Sequence, residues 1–315
     1  MKRSDKAVVV QDLEKSFGDL RVLDGINFTV EKGSIFTLLG SNGAGKTTAI
    51  NILATLMKPD RGTAAISGFD VVLQPQRVRE QISLTGQSAA VDEILTGREN
   101  LRMIGKLRHL TNADERADEL LEQFGLHDAA DRPVATYSGG MRRRLDLAMS
   151  LVDNPPVVFL DEPTTGLDPQ SRLTMWQIID NLRRSRITVF LTTQYLEEAD
   201  RLADQIAILH EGKIVTQGTP AELKKLIPHG HIELEFRANA ERESAHALLQ
   251  GYNISGDEDS LKLSIATDGS IRQLNDVLRR IEHGNVSVAE FTQKPPTLED
   301  VFLFIIGEKP RKEAV

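Results

Sequence analysis

Residues Gly40 to Thr48 read G-S-N-G-A-G-K-T-T, directly after the apolar run Ile35–Leu39. A strand that runs into a glycine-rich turn and stops on Lys-Thr leaves few folds open, because the string is the P-loop pattern. Each residue type answers a physical need. Glycines let successive backbone N–H groups point inward around phosphate oxygens, at dihedrals a side chain would hinder. Lys46 supplies a mobile point charge for the outer phosphates, and Thr47 a hydroxyl for Mg2+. The helix that starts here turns its positive dipole end to the same anion. The expected ligand is a nucleoside triphosphate, with Gly40, Ser41, Asn42, Gly43, Ala44, Gly45, Lys46, Thr47 and Thr48 around its phosphates.

Size and composition narrow the setting. With 315 residues the chain has room for two domains and at least one large core. Its 38 Lys and Arg against 46 Asp and Glu give a net charge of −8. Broad nucleic-acid binding needs clustered positive charge, so no nucleic-acid partner is expected. Cysteine is absent, which excludes disulfides, thiolate nucleophiles and Cys-based metal sites. The opening Met1-Lys-Arg-Ser-Asp-Lys has no apolar stretch behind it for a signal peptide. Elsewhere the apolar runs are short, such as Val157–Leu160 and Val301–Ile306, whereas a bilayer span takes ~20 residues. The chain reads as cytosolic, with any membrane role supplied by a partner.

Periodicity places the elements. Strands are expected at Val8–Leu13, Ile26–Val30, Ile35–Leu39 and near Thr63–Ser67, and a helix at roughly Lys46–Met57. From about Asp92 to Val152 the spacing turns helical, with one buried face each in Asn100–Leu110 and Ala113–Phe124. Val157–Leu160, Thr188–Leu191 and Ile206–Leu209 are continuous apolar runs, as buried parallel strands require. A short capped helix follows at Thr219-Pro220-Ala221-Glu222. Past Pro228 the order becomes strand (His231–Arg237), helix (Ala240–Gln250) and a hairpin (Tyr252–Ser255 and Leu261–Ile265, around Gly256-Asp257). Helix (Gly269–His283) and strand (Val286–Phe291) complete a β-α-β-β-α-β module of ferredoxin-like type. A last helix, Thr297–Ile306, carries Leu298, Val301, Phe302 and Ile305 on one face, for core packing or for docking a second protomer or a membrane partner. The fold class is thus α/β: a phosphate-binding core over residues 1–226 with an inserted helical subdomain at about 92–152, and a small α+β domain over 227–315.

Two further strings carry chemistry. Val157–Leu160 ends in Asp161-Glu162, a buried strand delivering two carboxylates. Asp161 stands where it can hold Mg2+, and Glu162, one residue beyond the sheet, can polarise an attacking water as general base. Tyr137-Ser138-Gly139-Gly140-Met141 precedes an Arg- and Leu-rich helix, with Ser138 a good N-cap and two glycines permitting close approach. One nucleotide has no use for two phosphate cradles in one chain. Two chains head to tail do, with the Ser138-Gly139-Gly140 of each closing over the γ-phosphate held by the other. A dimer glued by ATP follows.

In this order the strings resemble the ATP-binding cassette (ABC) transporter family, over about residues 6–222, in its nucleotide-binding subunit. The resemblance implies further roles. Gln87, in Leu84-Thr85-Gly86-Gln87, matches the glutamine that contacts Mg2+ and the catalytic water and faces the transmembrane partner. Gly166-Leu167-Asp168 matches the loop whose Asp168 communicates across the dimer. Phe17 matches the aromatic that stacks on adenine, the alternative being a packed core Phe. The chain departs from the family pattern in three places: Phe17 where Tyr is usual, Met141 where Gln is usual, and Gln194 in place of the switch histidine. Gln194 can hydrogen-bond a γ-phosphate but has no proton to exchange near neutral pH, so Glu162 must carry the base role.

The Gln194 replacement, T-G-R-E-N-L (Thr96–Leu101), Y-S-G-G-M-R-R-R-L-D-L-A (Tyr137–Ala148) and L-E-D-V-F-L (Leu298–Leu303) resemble the daunorubicin-resistance type of drug-export ATPase. That branch implies a homodimer on the cytoplasmic face of the membrane, working with a separate ABC-2-type permease and exporting a drug-like or lipophilic compound. Rivals are a soluble ABC ATPase acting on ribosomes or DNA, and a regulatory subunit that hydrolyses little. Arg142-Arg143-Arg144 is expected to be a solvated or interface-facing helix start, Trp176 a packing residue behind Asp168, and His229-x-His231 not a metal pair.

Overall fold

A computed structural model describes residues 5–227, 230–255, 260–267 and 269–306. The chain divides into two compact units, Met1–Pro220 and Ala221–Val315, a few residues before the 226/227 boundary read from sequence.

The first unit opens with two long strands, β1 (Lys6–Phe17) and β2 (Leu20–Glu31). They outrun the expected Val8–Leu13 and Ile26–Val30: β1 continues through the polar, half-buried Glu14-Lys15-Ser16, and β2 starts at Leu20, with the buried Leu23 separated from Ile26 by Asp24 and Gly25. Register shifts on both sides of Leu13 bend β1, and Asp12 there has a φ of 48°. β4 (Arg61–Ile66) and β5 (Phe69–Asp70) complete an antiparallel sheet of order β2-β1-β4-β5. The second sheet holds β3 (Ile35–Leu39), β6 (Ile82–Thr85), β7 (Val157–Asp161), β8 (Thr188–Thr193), β9 (Gln205–His210) and β10 (Lys213–Gly218). Its order is β10-β9-β3-β8-β7-β6, parallel except for β10. Every residue of β3, β7 and β8 is buried, which is why they read as unbroken apolar runs. Phe28 of β2 stacks on Phe36 of β3 with centroids 5.0 Å apart, and Phe36 on Phe190 of β8 at 5.3 Å, so rings fasten the two sheets together.

Parallel strands need crossovers, and these are helices. α1 (Lys46–Leu53) follows β3 and stops short of the expected Met57. Thr55 there turns to a φ of 63°, and the Leu56 and Met57 amides both fold back to the Asn51 carbonyl. α2 (Pro75–Arg79) precedes β6, and three helices occupy the insert: α3 (Gly97–Leu107), α4 (Ala113–Gln123) and α5 (Gly139–Ser150). Leu101, Leu120, Leu121, Phe124 and Leu145 form their shared core. A capping box between Thr96 and Glu99 starts α3 earlier than expected, and buried Asn100 pins the preceding loop through the Asp92 and Thr96 carbonyls. The T-G-R-E-N-L string is thus a structural clasp. α6 (Pro169–Arg184) and α7 (Leu196–Leu202) link β7 to β8 and β8 to β9. The C-terminal ends of β3, β7 and β8 therefore share one edge, and the three motif loops leave from it.

α8 (Pro220–Lys224) is followed by the second unit's sheet. β11 (His231–Glu235), β12 (Ile254–Ser255), β13 (Lys262–Ala266) and β14 (Glu290–Lys294) pair antiparallel in the order β12-β13-β11-β14. With α9 (Asn239–Leu248) and α10 (Ile271–His283) this is the expected ferredoxin-like arrangement. Ile232, Leu234, Leu263, Ile265, Val277 and Ile281 form its core. On the opposite face Glu233 pairs with Lys262 and Lys294. The last strand begins later than the expected Val286, because Val286 and Val288 pack on that core from the preceding loop. The turn at Gly256-Asp257 and His229 lie outside the described residues, while His231 pairs with Asp300 at 3.1 Å. α11 (Leu298–Ile306) buries Leu298 and Val301 and leaves Phe304 exposed. Among the described residues no helix is long and apolar enough to cross a membrane.

Candidate active site

The loop leaving β3 is held at both ends. The Gly40 amide donates to the Thr193 carbonyl at 3.2 Å, tying its start to the end of β8. A Cβ on Gly40 would lie 2.4 Å from the Leu209 carbonyl oxygen, so only glycine fits. Gly45, at φ 108°, turns the chain into α1 in a conformation that side chains rarely adopt. Lys46, the first residue of α1, is 4% exposed. Its ammonium donates to the Gly40 and Ser41 carbonyls at 2.9 and 3.1 Å and lies 3.2 Å from Glu162 Oε1. One carboxylate and two carbonyl dipoles thus hold a buried positive charge at a helix N-terminus.

The carboxylates come from the end of β7. Asp161 Oδ2 accepts from the Thr47 hydroxyl at 3.0 Å, and Asp161 Oδ1 from the Thr192 hydroxyl at 2.5 Å. Gln87 Nε2 stands 3.5 Å from Thr47 Oγ1, and a half turn of its amide puts the oxygen at the same place. Thr47, Asp161 and Gln87 form a hard-oxygen donor set that fits Mg2+, which takes one or two carboxylates and completes its shell with phosphate and water. Glu162 adopts a φ of 49°, a left-handed backbone uncommon for a residue with a side chain. That turn aims its carboxylate at Lys46, while its amide donates to the Thr192 carbonyl at 3.1 Å and Thr165 donates to its Oε2 at 3.2 Å. Val22, Asn42, Gly43, Gly45, Lys46, Thr47, Thr48, Gln87 and Glu162 line one cavity of about 150 Å3.

The other expected residues stand apart from that cavity. Ser138 caps α5, accepting from the Met141 amide at 3.3 Å. Asp168 caps α6, accepting from the Ser171 amide at 2.9 Å and its hydroxyl at 2.6 Å, and the hydroxyl above all holds the Asp168 carboxyl below its usual range. Gly140 lies against Ser171, so the two helix starts touch. Gly139 is open, with nothing close to where its Cβ would be. Gln194 follows β8, half-buried, one residue past the Thr193 that holds Gly40. Phe17 is 48% exposed at the end of β1, with the Lys15 ammonium 5.7 Å from its ring centroid, which removes the packed-core alternative.

Sequence reasoning missed the buried polar residues behind the site. The Arg run was expected to be solvated or to face an interface, and this needs correcting. Arg143 is 6% exposed, and its guanidinium bonds carbonyls of two loops, those of Gly86, Gln87, Asp161, Glu162 and Pro163. Arg144 reaches the Phe124 and Gly125 carbonyls, and Arg142 the Ala135 carbonyl and Glu93. Consecutive helix residues point 100° apart, so one of three must face the sheet. Burial lowers the Arg143 pKa and raises that of Asp146, 3.5 Å from it, yet an Arg keeps its charge in a protein. Glu198 of α7 is fully buried, with Oε1 accepting from the Thr164 hydroxyl at 2.7 Å and the Trp176 indole at 3.0 Å. Burial pushes its carboxyl up, against the pull of the Thr193, Thr164 and Trp176 hydrogen bonds. The signal available for both residues was a charge at an inward helical position.

A phosphate cradle on a parallel sheet, with an acid pair on a neighbouring strand and a helical insert, defines a nucleotide-hydrolysing cassette. Residues 23–165 match the ABC transporter family model, and residues 218–305 match the model described as "ATP-binding protein DrrA1-3-like, C-terminal domain". The chain belongs to the ABC transporter family, as an ATP-binding protein of the DrrA type. It is 44% identical to the daunorubicin resistance ATP-binding protein DrrA3 of Streptomyces coeruleorubidus, over 99% of both chains. It is 45% identical to the daunorubicin/doxorubicin resistance ATP-binding protein DrrA of Streptomyces peucetius, over 96% of this chain and 93% of that one. Among solved structures, an ATP-binding subunit of an ABC transporter matches 70% of this chain and 92% of its own, at 29% identity and a TM-score of 0.63. Such subunits bind ATP and are ATPases coupled to transport.

Proposed function

We propose that two copies of this chain close around two ATP molecules and power export of a drug-like or lipophilic compound through a separate ABC-2-type permease, from the cytoplasmic face of the membrane. The observation that carries the hydrolytic part is the convergence of Lys46, Thr47, Gln87 and Glu162 on one cavity, with Asp161 bonded to Thr47 behind it. The export part rests on likeness to the resistance proteins along nearly the whole chain.

In this reading the P-loop amides and Lys46 bind the β- and γ-phosphates. Thr47, Asp161 and Gln87 would hold Mg2+, which would supply neutralisation of phosphate charge. Glu162 orients the attacking water and accepts its proton, and Lys46 stabilises charge on the γ-phosphoryl oxygens. Drug-sized pockets run to ~300–1,000 Å3, so a walled space of about 150 Å3 takes phosphates and leaves the nucleoside over open surface, where Phe17 offers a ring. Ser138, Gly139 and Gly140 of the second copy then close the γ-phosphate side, with Asp168 and Gln194 lining the seam.

The test is Glu162→Gln with Mg·ATP. A sedimentation shift from monomer to dimer with ATP but not ADP, together with near-loss of turnover, is expected. Normal turnover removes Glu162 from its role, and a strictly monomeric ATP-loaded sample, with permease supplied, removes the sandwich. Drug accumulation in cells expressing chain and permease, compared with cells expressing the Glu162→Gln chain, tests export.

A further inference from the structure

Gly86 and Gln87 follow β6, and Asp161 ends β7 with Glu162 and Pro163 after it, at the point where the pairing of these two strands ends with Thr85 opposite Leu160. Beyond it Arg143 takes over. Its Nη1 donates to the Gly86 carbonyl at 2.5 Å and the Gln87 carbonyl at 3.3 Å. Its Nη2 donates to the carbonyls of Asp161 and Glu162 at 3.2 and 3.3 Å, and its Nε to that of Pro163 at 3.0 Å. A guanidinium has five N–H groups in a rigid fork, and here five carbonyls surround it. One turn along α5, Asp146 accepts from the Ala90 amide at 3.0 Å and lies 3.5 Å from Arg143. The Gln87 loop is thereby gripped at both ends by one helix.

That helix begins at Ser138, the end assigned to the second copy's γ-phosphate. We propose that Arg143 is a positioning residue for hydrolysis, locking the Gln87 loop and the Glu162 turn to α5 so that both loops move with that helix as one body. The proposal rests on the assignment of Glu162 above. Closure at Ser138 then sets the catalytic carboxylate and the Gln87 amide together. A displacement of Gln87 from the permease side reaches Glu162 by the same route. Lysine can substitute only in part, because an ammonium has three donors at one point and cannot reach five carbonyls on two loops at once.

The experiment compares the wild-type chain with Arg143→Lys, Arg143→Met and Glu162→Gln, reading ATP turnover, KM for Mg·ATP and thermal midpoint. Misplacing a catalytic group by about 1 Å costs on the order of 10²-fold in rate, so Arg143→Met should lose kcat on that scale. Arg143→Lys should recover part of it, with KM within about threefold of wild type in both, since the phosphate contacts are untouched. Wild-type kcat in Arg143→Met, or a loss confined to KM and midpoint, overturns the proposal while Glu162→Gln stays inactive. An active Glu162→Gln overturns the Glu162 assignment and the proposal with it. If neither Arg143 variant folds, amide exchange on the wild-type chain decides. Protection of residues 86–90 and 162–165 should change together when Mg·ATP is added, and independent change refutes the link.

Discussion

Replacing Glu162 by Gln does more than remove a base, because its carboxylate is also the counter-charge of a buried ammonium. Lys46 Nζ and Glu162 Oε1 are 3.2 Å apart, with side chains 4% and 8% exposed. At an effective dielectric of about 20, the attraction is about 5 kcal/mol. Desolvation offsets much of this, and breaking such a pair by removing one partner costs about 3–5 kcal/mol. The Gly40 and Ser41 carbonyls still accept from Lys46, and the new amide can too, so the lower end, about 3 kcal/mol, is expected. For a unit of this size each kcal/mol is worth about 2–4 °C, so the nucleotide-free midpoint should fall by roughly 6–12 °C. A γ-phosphate supplies the missing negative charge and no longer meets a carboxylate. The deficit should close on adding Mg·ATP, and ATP should bind more tightly than to wild type. Turnover falls by about 10²–10⁴-fold, the usual contribution of a positioned base. Scanning calorimetry with and without Mg·ATP, alongside equilibrium nucleotide binding, reads all of this. An unchanged nucleotide-free midpoint with unchanged ATP affinity would refute the charge argument whatever happens to the rate.

Phe17→Ala should raise KM for ATP roughly tenfold, since base–aromatic stacking is worth about 1–3 kcal/mol, and leave the midpoint in place because the ring is half exposed; Phe17→Tyr should behave as wild type. Gly140→Ala puts a Cβ 2.4 Å from Ser171 Oγ and 2.8 Å from Ser171 Cβ, an overpacking of about 1–3 kcal/mol that should lower the midpoint and turnover together; full retention of both would deny the close α5–α6 contact. Glu198, its carboxyl raised by burial, holds its proton more tightly folded than unfolded. Its contribution to stability is complete below the unfolded carboxylate value, about 4.3, and is lost as pH rises through the folded value. Glu198→Gln has no such proton to lose, so the midpoint gap, variant minus wild type, should widen in favour of the variant from pH 4 to pH 8; a pH-independent gap counts against a buried, titrating carboxyl.

The α/β core was legible because buried parallel strands leave unbroken apolar runs such as Val157–Leu160 and Thr188–Leu191, and because helices cap with Thr, Ser and Asp. The outer halves of β1 and β2, together with β5 and β10, escaped notice. They are short or interrupted by polar residues and glycine, and they pair through backbone groups that any sequence carries. α1 read too long because Thr55 breaks the helix by its dihedral, which composition does not reveal. The second unit's strand order was readable from its β-α-β-β-α-β sequence, while the start of β14 slipped because Val286 and Val288 serve the core from a loop.

Sequence by itself determined the phosphate cradle, the acid pair after β7 and the capped start of α5, since each is a contiguous string whose chemistry is local. Tertiary structure alone decided how they are connected. Arg143 meets carbonyls 18 to 57 residues away, and Glu198 meets Thr164 and Trp176 from 34 and 22 residues away. Such bonds join buried polar side chains to partners far away in sequence that sheet order brings together. A carbonyl leaves no mark in the sequence, so only the fold could say which arginine of three would find five of them.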